Sequence, residues 1–253
     1  NKEIGASATA TVVAQWVGAL IYLVWIRKAI GGYKVSFKPK FLVLIKLLRS
    51  SSELLIRNLS LTTSFIVATA MAARLGNVDV AAHEVGFQAW FFLAMSMDAI
   101  AIAAQAITGN LLGAGEAHEA RLMGRKAIIW SIGIGVFTGS LLAIFHVTFA
   151  GIFSEDTAVV ELAGFLLLHV AAMAPLSGIA FALDGILIGA GDQRFLAKAM
   201  SLSAAISISL MLLSVAFGLG IGWIWGSIWV FMLVRSTTLY IRFRSDKWQK
   251  LGS

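Results

Sequence analysis

No cysteine occurs among the 253 residues, which excludes disulfides, thiolate metal centres and cysteine nucleophiles. Proline is nearly absent, limited to Pro39 and Pro175. Charged residues make up 13% of the chain, about half the share of an ordinary soluble domain. Four histidines (His83, His118, His146, His169) are scattered without ligand spacing, so no metal site is expected. The GxSxG, HExxH and phosphate-binding glycine-loop signatures are missing, which argues against an enzyme, and no cofactor is expected.

What fills the chain instead is apolar: 59% hydrophobic residues and a mean hydropathy of +0.87 place it among polytopic membrane proteins. Apolar runs predict seven spans, at 4–26, 51–75, 79–112, 122–153, 157–190, 196–218 and 221–243. Several exceed the ~20 residues needed to cross, so tilt or extension beyond the bilayer is expected. Residues 27–49 form a basic connector. Within it Phe41, Leu44, Ile45 and Leu48 oppose Lys40, Lys46 and Arg49, the pattern of a short helix lying at the membrane surface. The expected organisation is all-α and transmembrane: one isolated helix (1–26), the connector (27–49), a six-helix bundle (50–245) and a tail (246–253). The chain starts at Asn1 without an initiator methionine and enters a span almost at once, so it reads as a piece of a longer protein.

The net charge of +7 reflects topology rather than nucleic-acid binding, because the basic residues sit in loops and not on one soluble face. Sixteen Lys and Arg fall in the connector, the 113–126 and 192–198 turns and the tail, whereas the opposite side holds only Lys2 and Arg74. That opposite side collects the acids Glu3, Asp79, Glu155, Asp156 and Glu161. The connector and the C-terminus are therefore expected in the cytoplasm, with the protein in the cell membrane and lipid as its surroundings.

Ionisable residues inside spans are the functional candidates, because each needs a partner, a cavity or a proton. In the third span Glu84, Gln88, Asp98 and Gln105 share one stripe at helical spacing and are expected to face something other than lipid. In the second span Glu53, Arg57, Ser60 and Ser64 form another stripe, opening with a Glu-to-Arg pair at i, i+4, and Asn58 adjoins Arg57. Asp184 lies nine residues beyond Pro175, which is expected to interrupt or kink its helix, and a lone carboxylate near a broken helix suits cation binding. Two roles stay open for Asp184. Desolvation favours its neutral form, which suits a proton carrier, whereas a nearby Arg57 or Arg235 would make it half of a structural ion pair. Asp98 and Asp184 are the cation-coupling candidates, and Arg57, Asn58, Glu84, Gln88 and Gln105 the cavity-lining or pairing ones. Glycine pairs at 109/113, 135/139, 185/189, 218/222 and 222/226 are expected to let helices approach closely. Most tryptophans read as belt or core residues.

The stretch AAHEVGFQAWFFLAMSMDAIAIAAQAITGNLLGAG at 81–115, followed by LDGILIGAGDQRF, resembles the second half of multidrug and toxic compound extrusion (MATE) transporters, most of all their DNA-damage-inducible branch. The residues that carry the likeness are Ala82, His83, Gln88, Asp98, Gln105 and Gly113. The resemblance implies a twelve-helix antiporter of two six-helix lobes that exports small organic, often cationic, compounds in exchange for H+ or Na+. On this reading the first span is helix six, the others are helices seven to twelve, and the partner is the missing N-terminal lobe. Asp184 matches the family's acidic position in helix ten. The helix-seven glutamate of some sodium-coupled members has no match beside Arg57, which points to protons. Alternatives are a lipid-linked oligosaccharide flippase of related fold and a non-transport membrane scaffold.

Overall fold

The computed structural model describes residues 2–30 and 41–249. It contains seven long helices: α1 (Lys2–Ile30), α2 (Phe41–Leu75), α3 (Asn77–Gly113), α4 (Ala117–Phe153), α5 (Thr157–Gly189), α6 (Gln193–Ala216) and α7 (Ile221–Arg244), followed by a short 3-10 helix, Asp246–Trp248. Each of the seven carries an apolar stretch long enough to cross a bilayer, and no strand occurs among the described residues. The all-α transmembrane class and the seven spans agree with expectation.

Two compact units divide the chain, residues 1–48 and 49–253. In the first, α1 has its apolar stretch over Thr9–Lys28. The basic connector at 31–40 lies outside the described residues. The segment from Phe41 to Arg49 is not the separate surface helix expected; it runs unbroken into the second span as α2. No glycine or proline interrupts 41–75, and Ser52 donates its hydroxyl to the Arg49 carbonyl at 2.7 Å, so the serine run stays helical instead of capping.

The second unit is built around α5, which packs against α3, α4 and α7. This helix is apolar on all sides, as a helix surrounded by others should be. Close approach is made by glycine. A Cβ at Gly185 or Gly189 would overlap the α3 carbonyl oxygens of Ala101 and Gln105, and one at Gly178 would overlap that of Ser131 in α4. Across the same interface, a Cβ at Gly135 would lie 2.6 Å from the Ala174 carbonyl oxygen and one at Gly139 2.5 Å from that of Ala171. Of the expected glycine pairs, these two make backbone-to-backbone seams at both members, and a Cβ at Gly109 would lie 3.3 Å from the Gly189 carbonyl oxygen. Gly113, Gly218 and Gly226 face open space, and Gly222 meets only the ring of Phe165 at 3.5 Å. Pro175 does not interrupt α5, which is continuous across it, and the α4 glycines lie against that stretch of backbone.

Positive φ angles at Gly115, Gly191 and Gly218 close α3, α5 and α6 with paired bonds of the Schellman type, such as Glu116 N–H to Leu111 O (2.8 Å) and Gly115 N–H to Leu112 O (3.1 Å). The tail is not free at its start. Trp248 is fully buried, donates its indole N–H to the Phe243 carbonyl at 2.9 Å and stacks on that ring at 5.4 Å. Residues 250–253 lie outside the described residues.

Candidate functional site

The site begins with two arginines placed inside apolar helices. Arg57 lies in α2 and Arg235 in α7, where an unpaired guanidinium would be costly. Both donate through Nη2 to one oxygen, Oδ2 of Asp184 on α5. The side chains of Arg235 and Asp184 are 1% and 4% exposed and that of Arg57 is 15% exposed. Arg57 also donates to Asn58 Oδ1 at 2.8 Å, and Arg235 lies over the ring of Phe181 with its Cζ 5.2 Å from the centroid. Asp184 Oδ1 and the Nε atoms of both arginines are buried without a hydrogen-bond partner. Asp184 is thus neither a lone carboxylate nor next to a broken helix, and the ion-pair arrangement left open by the sequence is the one seen, with both arginines engaged at once.

The Glu53–Arg57 pair expected from i, i+4 spacing does not form. Glu53 instead meets Arg49 at 3.5 Å. Arg57 turns inward because a carboxylate shielded from water attracts it more strongly than an acid nearer the helix end.

Two cations and one anion leave this cluster with a formal excess of one positive charge. Asp98 on α3 is a further carboxylate within electrostatic reach of Arg235. Its own side chain is exposed and lines a groove of about 860 Å³ between α2 and α3. The walls are aromatic: Phe65, Phe87, Trp90, Phe91 and Phe181. Phe65 sits 5.1 Å from Phe87 and 4.6 Å from Trp90, ring centre to ring centre. Toward its other end Thr69 hydrogen bonds His83 Nε2 at 3.1 Å, and His83 is completely buried against Phe87 and Trp225. This groove has the size of a small-molecule site, with an apolar lining and few polar groups.

The structure therefore gathers Arg57, Asn58 and Asp184, with Asp98 nearby, out of the sequence candidates. Glu84, Gln88 and Gln105 are exposed on α3, and of the four-residue stripe only Asp98 lines this groove. Arg235 is the member of this ion cluster absent from the sequence candidates, named there only as an alternative partner for Asp184. Its signal was present: a guanidinium within IWVFMLVRSTTLY needs a buried anion, and Asp98 and Asp184 are the two carboxylates well inside predicted spans. Of the groove aromatics the sequence offers only a belt or core reading for Trp90, because a ring buried in a core and a ring lining a cavity have the same spacing.

Comparison with known proteins shows the family and the fold. The MatE family model matches residues 54–213. DETOXIFICATION 44, a chloroplastic protein of Arabidopsis thaliana, is 30% identical over 258 residues, covering 99% of this chain and 48% of that protein. DNA damage-inducible protein F of Escherichia coli is 26% identical over 255 residues, covering 94% of this chain and 52% of its own length. An outward-facing multidrug resistance MATE family transporter of the MOP superfamily superposes with a TM-score of 0.66 at 20% identity, over 81% of this chain and 46% of that one. This chain spans about half the length of the curated relatives it matches. It is a multi-pass membrane protein, and it belongs to the MatE family.

Proposed function

We propose that this chain is one lobe of a secondary antiporter that exports organic cations in exchange for protons, completed by a second six-helix lobe that faces the α2–α3 groove. The observation that carries this reading is Asp98, an exposed carboxylate on an aromatic groove beside a fixed ion cluster. Aromatic walls and one carboxylate suit an organic cation, through cation–π contact and charge pairing. A proton competes for the same carboxylate, so loading one releases the other, and that competition is the basis of exchange.

The two aspartates divide the work. Asp184 holds two arginines in place and stays committed to them. Asp98 is the exchangeable group. A lone carboxylate carries a proton unaided, whereas a sodium ion needs several oxygen ligands, so H+ is the coupling ion in this reading. The basic ends of the helices face the cytoplasm, on the strength of sixteen Lys and Arg against two.

The test is export of a fluorescent organic cation from proteoliposomes holding the full-length protein under an imposed pH gradient. Asp98→Asn should abolish gradient-driven export at unchanged expression; export at the wild-type rate would overturn the proposal. The excess positive charge of the arginine cluster supports a second reading, a flippase for anionic lipid-linked oligosaccharides. In that case Asp98→Asn would spare transport and Arg57→Gln would abolish it.

A further inference from the structure

A second cavity lies at the basic ends of α4 and α7, apart from the groove and its ion cluster. It encloses about 340 Å³ and is lined by Arg121, Arg125, Ile128, Ile129, Tyr240, Phe243 and Arg244. Three of those seven side chains are guanidiniums and none is acidic. Such a concentration of positive charge is not needed for folding, because Arg125 and Arg244 are exposed and carry no ion pair among the described residues.

We infer that this cavity binds the phosphodiester headgroup of an anionic phospholipid in the leaflet on the basic side of the membrane. The order of side chains along the helices supports a lipid over a soluble anion. On α4, Arg121 and Arg125 are one turn apart on one face, and the next turn inward brings Ile128 and Ile129. On α7, Arg244 stands at the helix end and Tyr240 one turn inward. Charge, then an amphipathic phenol, then aliphatic surface is the order of phosphate, glycerol and acyl chain in a phospholipid. From Ile129 the exposed apolar face of α4 continues through Val136, Phe137 and Ile144, which are 49%, 69% and 72% exposed. The cavity holds a headgroup and the start of the chains, and that strip takes the rest. Guanidiniums suit phosphate because their planar forks can donate paired hydrogen bonds, and basic pockets between helices at a membrane surface recognise anionic headgroups on this principle.

Asp246 sits at the rim as a counter-charge. Arg121 donates from Nη2 to Asp246 Oδ1 and to the Ser245 carbonyl, and both bonds use that one nitrogen, so its fork keeps donors for a second anion. The exposed carboxylate of Asp246 weakens the site without filling it.

Native mass spectrometry of the full protein, titrated with dioleoyl-phosphatidylglycerol or dioleoyl-phosphatidylcholine, tests the inference. The anionic lipid should be retained preferentially, and the double variant Arg125→Gln/Arg244→Gln should cut that preference about tenfold. Asp246→Asn should raise it about twofold to fivefold by removing the competing carboxylate. Equal retention of the two lipids by the wild-type protein would overturn the site without recourse to any variant, as would an unchanged preference in a folded double variant. Displacement of the anionic lipid by millimolar inorganic phosphate would overturn the lipid assignment in favour of a soluble phosphate site.

Discussion

Two seams of the larger unit are built on opposite principles. Where α5 meets α3 and α4, glycines bring backbone against backbone, with Gly185 and Gly189 on the carbonyls of Ala101 and Gln105, and Gly135 and Gly139 on those of Ala174 and Ala171. Where α2 meets its neighbours, the contacts run through side-chain tips: Arg57 to Asp184 on α5, Thr69 to His83 on α3 at 3.1 Å, Ser60 to Ser201 on α6 at 3.1 Å, and Phe65 against Phe87 and Trp90. Without a hydrophobic drive between helices in lipid, close van der Waals packing holds the first seam and interhelical polar bonds hold the second. The first leaves no room and the second leaves the groove.

The largest effect on this contrast should come from Asp184, which ties the α2 seam to the frame. Asp184→Asn strands two buried guanidiniums and should destabilise the protein by roughly 3–5 kcal/mol, read as a lower thermal midpoint in detergent. Arg57→Ala should cost less, about 1–2 kcal/mol, because Asp184 keeps Arg235. Equal losses from the two variants would show that Arg235 alone does not satisfy Asp184 once Arg57 is gone.

Next comes the frame. Gly185→Ala forces a methyl into the Ala101 carbonyl and should cost about 1–3 kcal/mol, whereas Gly133→Ala on α4, with nothing near its Cβ, should be neutral or stabilising by about 0.5–1 kcal/mol. If both substitutions behave alike, the seam is not backbone-to-backbone.

Smaller is the single polar tie at the far end of α2: Thr69→Val should cost roughly 0.5–1.5 kcal/mol and increase the hydrogen exchange of α2 more than that of α5. Smallest in stability is Asp98→Asn, expected within about 0.5 kcal/mol of wild type because the side chain is exposed, although it should abolish gradient-driven export. Asp98 thereby separates function from stability, as Asp184 does not.

The span pattern was legible because a bilayer selects for apolar run length, a property of consecutive residues. Helix ends other than the start of α2 fell within a few residues of expectation for the same reason. Less legible was the start of α2, where a surface pattern at 41–49 continues into a span without a break. The stripe of Glu84, Gln88, Asp98 and Gln105 was correct as a periodicity yet only Asp98 lines the groove, since periodicity names a face and not its neighbour.

The sequence by itself determined how many helices there are, their order, their apolar character and the side that gathers positive charge. Each of those follows from the transfer of one segment at a time between water and lipid. Only the tertiary structure decided which partner a charge takes. Glu53 was four residues from Arg57 and lost it to Asp184, 127 residues away, because attraction in a site sheltered from water outweighs proximity along the chain. Likewise Gly135 and Gly133 look alike in the sequence, and only the approach of α5 makes the first irreplaceable and the second free.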